Sequence, residues 1–247
     1  MRSDKRGDDD KTIVVGSASR RFVATMVASL SYQASDLRGP VRPVIRHCVC
    51  DLWPSAAGGR VPDALVAFYH GERTRILISA VVSRMAVLYL LWFGAALRAT
   101  LAAAGQDGWG AAATAASAAL GAVLLLLIAV VAILAYAIAG PGSGALMSGL
   151  NDFAWACTVL SSFPRAMLIM AGTFGLWRGG LMSNALFGAG VTAIVLVLLG
   201  GTTWLSNGFW APDGTYSRLV SPLIGLVWVL VASGVLLARR QRARVGW

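Results

Sequence analysis

The segment AASAALGAVLLLLIAVVAILAYAIA, residues 115–139, decides the fold class of this chain. It consists mainly of Ala, Leu, Val and Ile and contains no charged residue. A helix of about 20 apolar residues crosses the roughly 30 Å hydrocarbon core of a bilayer. The segment is therefore predicted to be a membrane-spanning helix, which ends at the turn-forming Gly140-Pro141-Gly142.

Four further segments have the length and apolar character of a membrane span. Arg75 and Arg98 flank the first of them, and Arg84 is its one interior charge. The four segments cover residues 76–97, 153–177, 185–205 and 219–238. The sequence thus predicts an all-α, polytopic transmembrane helical bundle of about five spans.

The composition supports a lipid environment. Hydrophobic residues make up 57% of the chain, charged residues only 13%, and the mean hydropathy is +0.70, whereas about a quarter of an ordinary soluble domain is charged. The net charge of +10 does not indicate nucleic-acid binding, because the basic residues lie in an N-terminal stretch and at helix ends rather than on one water-exposed face. Arginine greatly outnumbers lysine, which is typical of a GC-rich bacterial genome, so we expect a bacterial plasma membrane.

The chain divides into three regions by composition. Residues 1–60 are polar and basic, are predicted to be largely irregular, and include the cluster His47-Cys48-Val49-Cys50. That cluster is not one of the recurrent zinc spacings and no second half follows it, so no metal site is predicted. Residues 61–239 form the predicted helical domain, and residues 240–247 form a basic tail.

The distribution of arginines predicts the orientation, because cytoplasmic loops carry an excess of Lys and Arg. The C-terminal arginines between residues 239 and 244 place the C-terminus in the cytoplasm. Counting back through the spans then places Arg178 and Arg98 inside and the loop 140–152, which lacks Lys and Arg, outside. The same count places the N-terminal region outside, where Arg73 and Arg75 conflict with the rule.

Two explanations of this conflict follow from the residues. Paired Arg20-Arg21 before a weakly apolar stretch that runs to Ala34 resembles a twin-arginine export signal, which would carry the N-terminus outward. Alternatively, the odd number of spans is real and the two arginines are tolerated on the outer side.

Four segments resemble a group of uncharacterised multi-pass membrane proteins of actinobacteria that have no established activity. They are AFYHGERTRI at 67–76, FPRA at 163–166, FGLWR at 174–178 and GFWAPDGTYS at 208–217. The resemblance implies six spans with both ends inside, the first preceding residue 67. No stretch before residue 60 is apolar for long enough, so a third explanation is that residues 1–58 reflect a misplaced start codon or a shifted reading frame.

Two arginines inside the spans are the candidate functional residues, because intramembrane charges are costly and are functional candidates by default. Arg84 and Arg165 are predicted to approach a similar depth, and no predicted span contains an Asp or Glu to neutralise them. Pro164 should free the backbone carbonyl of Leu160 next to Arg165. We therefore predict a ligand-binding site for an anion or an acidic lipid at Arg84 and Arg165, with Ser161, Ser162 and Ser83 as lining residues.

A structural interpretation competes with this one, since both arginines can extend along their stems toward headgroups. The aromatic loop at 207–216 is likewise open to two interpretations, an interfacial anchor or a binding lid. Small residues allow close helix packing or an oligomer interface. These are Gly172, Gly175, Ala185, Ala189, Gly200 and Gly201.

The predicted spans offer few residues suited to catalysis, because none of them contains His, Asp or Glu. No haem or phosphate-loop motif occurs in the sequence. No catalytic residue and no cofactor is predicted. The sequence favours a non-enzymatic accessory, scaffold or lipid- or small-molecule-handling bundle, in contact with the bilayer and with a second copy or another membrane protein. An anion channel or transporter that uses Arg84 and Arg165 is the alternative, and a membrane-embedded enzyme is the third.

Overall fold

The computed structural model describes residues 62–138, 144–204 and 208–245, and predictions about residues 1–61 lie outside this part of the chain. Helices cover most of these residues, and there is no strand among them. Seven α-helices occur here. They are α1 (Pro62–Gly71), α2 (Arg73–Ala103), α3 (Asp107–Ile133), α4 (Gly144–Leu160), α5 (Ser162–Arg178), α6 (Asn184–Gly200) and α7 (Ser221–Val245). A π-helical turn, Leu134–Ile138, extends α3, and another, Tyr216–Val220, precedes α7.

Four helical stretches are long and apolar enough to cross a membrane, as the sequence predicts for the spans at 76–97, 115–139, 153–177 and 219–238. They are Arg73–Ala103, Asp107–Tyr136, Gly144–Arg178 and Tyr216–Ala238. The predicted span at 185–205 corresponds to α6, which is apolar but only 17 residues long. The all-α membrane bundle is therefore confirmed, and α6 is at the short end of the 17 to 25 residues that a crossing helix uses.

Two helical segments lie outside the predicted spans. The expected outer loop at 140–152 is helical from Gly144, because Met147, Asn151 and Ala154 bury one face at helical spacing. α1 precedes the first predicted span and lies within the helical domain predicted from residue 61, and its Leu65 and Tyr69, four residues apart, are both buried.

The close contacts of glycines show the relative directions of neighbouring helices. A Cβ on Gly110 of α3 would meet Arg98 of α2, whereas one on Gly121 would meet Leu91 and Val87, so these two helices are antiparallel. In the same way, Gly190 of α6 approaches Thr173 of α5 and Gly200 approaches Ser162, which makes α5 and α6 antiparallel.

α7 lies parallel to α5, with Ser221 near Arg165 and Trp228 near Thr173. Gly172 makes this contact close, since a Cβ there would lie 2.3 Å from the indole of Trp228. Of the small residues that the sequence singles out, the four glycines are buried in helix contacts, whereas Ala185 and Ala189 are exposed.

The long stretch Gly144–Arg178 is interrupted at Ser161, where α4 ends and α5 begins two positions before Pro164. Proline is tolerated in the first turn of a helix but removes a hydrogen bond from a helix interior. Helical hydrogen bonds still cross this point, from Ser161 N to the carbonyl of Cys157 and from Arg165 N to that of Ser161, so α4 and α5 continue as one helical stretch. Ser161, Ser162 and Arg165 lie at the start of α5.

Candidate functional site

Arg165 lies at the junction of α5 and α7 and is half-buried. Its Nη1 donates to Ser221 Oγ at 3.0 Å, and its Nη2 donates to Ser161 Oγ at 2.9 Å. Both acceptors are almost fully buried. The guanidinium is thus held between two hydroxyls that come from different helices.

Gly200, the last residue of α6, packs against the serines of this junction. A Cβ at Gly200 would lie 2.9 Å from Ser221 Oγ and 3.0 Å from Ser162 Oγ. Any larger side chain at residue 200 would collide with both hydroxyls. The absence of a side chain there lets α6 approach α5 and α7 at the point where the serines gather.

Gly225 has the same role on α7, one turn after Ser221. A Cβ at Gly225 would lie 2.9 Å from Cδ of Arg165 and 3.4 Å from its Cγ. The aliphatic stem of Arg165 therefore passes over Gly225 before the guanidinium reaches Ser221. This contact determines the direction of the arginine side chain.

A second pair of hydroxyls extends the polar layer toward the α6–α7 loop. Thr203 Oγ1 donates to the carbonyl of Gly200 at 2.8 Å and lies 2.7 Å from Ser217 Oγ. Since the threonine hydrogen is used on Gly200, Ser217 is the donor in the second bond. Both residues are buried, so the junction contains hydroxyls contributed by three segments of the chain.

The charge of Arg165 is not balanced by an acid in the part of the chain that the structure describes. Its two hydrogen-bonding partners are neutral hydroxyls. A guanidinium has five N–H donors, so two such bonds leave donors that a further acceptor can use. An anion is the acceptor that would also neutralise the charge.

The structure brings three of the five predicted site residues together and places the other two, Arg84 and Ser83, on α2. Arg165, Ser161 and Ser162 share the α5 junction, whereas Arg84 is exposed on α2 and makes no hydrogen bond to this cluster. Ser83 is half-buried on α2. The prediction that both arginines line one site is therefore not supported by their positions.

Sequence reasoning missed Ser221, the second partner of Arg165. Ser221 is 56 positions away from the arginine in sequence, and its type alone does not distinguish it from other serines. Pro222 after it and Gly225 one turn later are signals of a helix start and a close contact, but they do not indicate which helix lies opposite.

The loop between α6 and α7 is an aromatic cluster. Trp210 and Tyr216 have ring centroids 4.7 Å apart, and Phe209 meets Tyr216 edge-on at 5.6 Å. Trp210 Nε1 donates to the carbonyl of Thr202, and the hydroxyl of Tyr216 donates to that of Leu196. Phe209 is exposed while Tyr216 is buried, so the loop covers the hydroxyl-rich end of the junction with an apolar layer.

Trp155 and Trp177, near the two ends of the predicted span at 153–177, differ in exposure. Trp177 is exposed, but Trp155 is buried beneath the guanidinium of Arg218, 5.9 Å from the ring centroid. A cation over an indole face is stabilised by the ring quadrupole.

No cluster of three or more His, Cys, Asp or Glu suited to a metal ion occurs among residues 62–138, 144–204 and 208–245. Comparisons with protein-family models, with curated proteins and with solved structures give no match for this chain. The candidate site therefore rests on its own geometry.

Proposed function

We propose that this chain is a non-enzymatic accessory protein of a bacterial plasma membrane, whose bundle binds the anionic group of a lipid or a small molecule at Arg165. The observation that carries the proposal is the half-buried guanidinium held by two hydroxyls with no carboxylate beside it in the described residues. A charge inside a bilayer is costly unless it is compensated. A phosphate or carboxylate group would supply that compensation.

The two hydroxyls position the guanidinium of Arg165 for a bound anion without supplying a negative charge themselves. Ser161 Oγ donates its hydrogen to the carbonyl of Thr158 at 2.6 Å and so is oriented to accept from Arg165. The arginine is thus kept in one place without being neutralised. Charge-assisted hydrogen bonds from a positioned guanidinium to phosphate are shorter and stronger than neutral ones.

A channel or transporter for anions remains the alternative function, with Arg165 on the path. It requires a second basic residue in contact with that path, and Arg84 lies on the outer surface of α2. The site geometry therefore favours binding at one position over passage through the bundle.

We propose that the C-terminus is cytoplasmic, which the arginines near the ends of α2, α5 and α7 support. Two exposed positions at opposite ends of the bundle test this. In a cysteine-free background, Ala103→Cys should be protected from a membrane-impermeant thiol reagent in intact cells, and Thr215→Cys should react. The reverse pattern would overturn the orientation.

The binding experiment uses the full chain in nanodiscs of phosphatidylcholine. Native mass spectrometry would count bound phosphatidylglycerol, and inorganic phosphate added as a competitor would distinguish a lipid headgroup from a free anion. We expect Arg165→Gln to weaken phosphatidylglycerol binding by roughly tenfold or more, since hydrogen bonds to charged groups contribute about 1.5 to 3 kcal/mol. Arg165→Lys should retain part of the binding.

Arg98→Gln is the matched control, because Arg98 is an exposed arginine outside the junction. Its substitution should leave phosphatidylglycerol binding unchanged. A thermal unfolding curve for each variant separates lost binding from lost structure. Equal binding by the wild type and a folded Arg165→Gln variant would refute the proposed function.

A further inference from the structure

Arg84 lies at the edge of an exposed apolar face of α2, which we define by Val81, Met85 and Leu88 and call the Arg84 face. Each of these three side chains is about half exposed or more. Only 17% of the apolar window of α2 is buried, against 39% for the Asp107–Tyr136 span and 50% for the Gly144–Arg178 span. α2 is thus the least covered of the four long helices, and it carries the exposed Arg84 away from its ends.

The depth of Arg84 makes this charge unusual. Arg73 stacks over the ring of Tyr136 at 5.1 Å and Arg75 pairs with Glu72 at 3.3 Å, contacts that suit the water-facing end of α2. Arg84 follows Arg75 by nine residues, which is about 14 Å along a helix. This is close to half the roughly 30 Å thickness of the hydrocarbon core.

Arg84 makes no hydrogen bond or ion pair with any residue that the structure describes. Its distance from the end of the span exceeds the length of one arginine side chain, so its guanidinium does not reach the headgroup layer without local thinning of the bilayer. A second copy that packs against it through the same face of α2 would bring another arginine and no carboxylate, because Arg73–Ala103 contains no Asp or Glu. The charge therefore points to a partner of a different sequence.

We propose that the Arg84 face binds a transmembrane helix of another membrane protein, and that this helix carries an Asp or Glu at the depth of Arg84. The apolar residues of the face supply packing, and the ion pair selects the partner. The inference does not depend on the proposed function at Arg165, because the two arginines lie in separate places. Polar contacts between membrane helices contribute up to about 1 to 2 kcal/mol in model peptides.

The test uses the full-length protein in phosphatidylcholine vesicles and a synthetic Leu/Ala helix of about 20 residues with one central Glu. Resonance energy transfer between a donor on the protein and an acceptor on the peptide measures their association. A peptide with Gln in place of Glu is the matched probe. We expect the Glu peptide to bind roughly five- to thirtyfold more tightly than the Gln peptide.

Arg84→Gln should abolish the preference for Glu, and Arg98→Gln, on the same helix, should retain it. An equal affinity for the two peptides, or a preference that persists in a folded Arg84→Gln variant, would overturn the proposal. Vesicles that contain phosphatidylglycerol test whether a lipid headgroup, rather than a protein helix, binds at Arg84. If this lipid erases the Glu preference and binds the wild type more than Arg84→Gln, Arg84 holds a lipid headgroup and the partner-helix proposal is wrong.

Discussion

The indole Nε1 of Trp228 donates a hydrogen bond to Thr173 Oγ1 at 3.0 Å, and this bond joins α7 to α5 inside the bundle. Both side chains are buried, Thr173 completely. The bond lies beside two glycines, since a Cβ at Gly172 would meet the indole of Trp228 and a Cβ at Gly190 would meet Thr173. It is therefore part of the central contact of three helices.

Removing either partner of this bond should destabilise the protein. We expect Trp228→Phe and Thr173→Val each to lower the free energy of unfolding by about 1 to 3 kcal/mol, because each leaves the other group buried without its partner. The double variant should lose less than the sum of the two, by about 0.6 kcal/mol, the average coupling in membrane helix pairs. Unfolding by sodium dodecyl sulfate in mixed micelles gives the free energy of unfolding of the wild type, the two single variants and the double variant. Strict additivity would mean that the bond contributes nothing.

Gly190 and Gly188 provide a matched pair on α6. A Cβ at Gly190 would lie 2.5 Å from Cγ2 and 2.6 Å from Oγ1 of Thr173, whereas nothing lies within 4 Å of a Cβ at Gly188. Gly190→Ala should therefore destabilise the bundle by about 1 to 3 kcal/mol through overpacking. Gly188→Ala should be neutral or stabilising by up to about 1 kcal/mol, the helix-propensity difference. Similar melting temperatures for the two variants would contradict this packing.

The buried phenol of Tyr69 predicts a loss of stability at high pH. Tyr69 donates to Asn151 Oδ1 at 2.9 Å, and burial raises its pKa from 10.0 to about 12. Because the folded state favours the neutral phenol, its contribution to stability is complete below pH 10 and is lost as the pH rises toward 12. The difference in unfolding free energy between wild type and Tyr69→Phe should shrink over that range. A difference that stays constant from pH 9 to pH 12 would show that Tyr69 does not titrate in this way.

Substitution of Gly225 should weaken the site without removing its charge. Gly225→Ala places a methyl group against the stem of Arg165, and the displaced guanidinium should lose its bond to Ser221. We expect phosphatidylglycerol binding to fall, by less than in Arg165→Gln. Gly234→Ala, on the same helix with open space around it, is the control and should bind as the wild type does. A Gly225→Ala protein that binds normally would show that the direction of the stem does not matter.

The spans could be predicted from the sequence because length and the absence of charge are local properties. The run at 115–139 needs no knowledge of its neighbours to be assigned to a bilayer. Part of the polar surroundings of Arg165 was also predictable, since Pro164, Ser161 and Ser162 are close to it in the chain. These features depend on the physical chemistry of a few consecutive residues.

The partners across helices could not be predicted in the same way. Ser221, Gly200 and Gly225 come close to Arg165 only because α5, α6 and α7 pack in one particular order. Similarly, the spacing of Arg84 and Arg165 within their helices suggested a shared site, but it did not specify the direction of each side chain. That direction depends on which face of α2 is covered: Arg84 is exposed although Ala80 and Val87, one turn to either side of it, are buried.

α6 has only 17 residues and is about 26 Å long, whereas the neighbouring stretch Gly144–Arg178 is about twice that length. A helix shorter than the hydrocarbon core draws the two leaflets toward each other, at a cost of a fraction of a kcal/mol per Å of mismatch. We therefore expect the bilayer to be thinner beside α6 than beside the longer stretch. Lipids with shorter acyl chains would gather around this flank, so the composition of the surrounding membrane would differ from one side of the protein to the other.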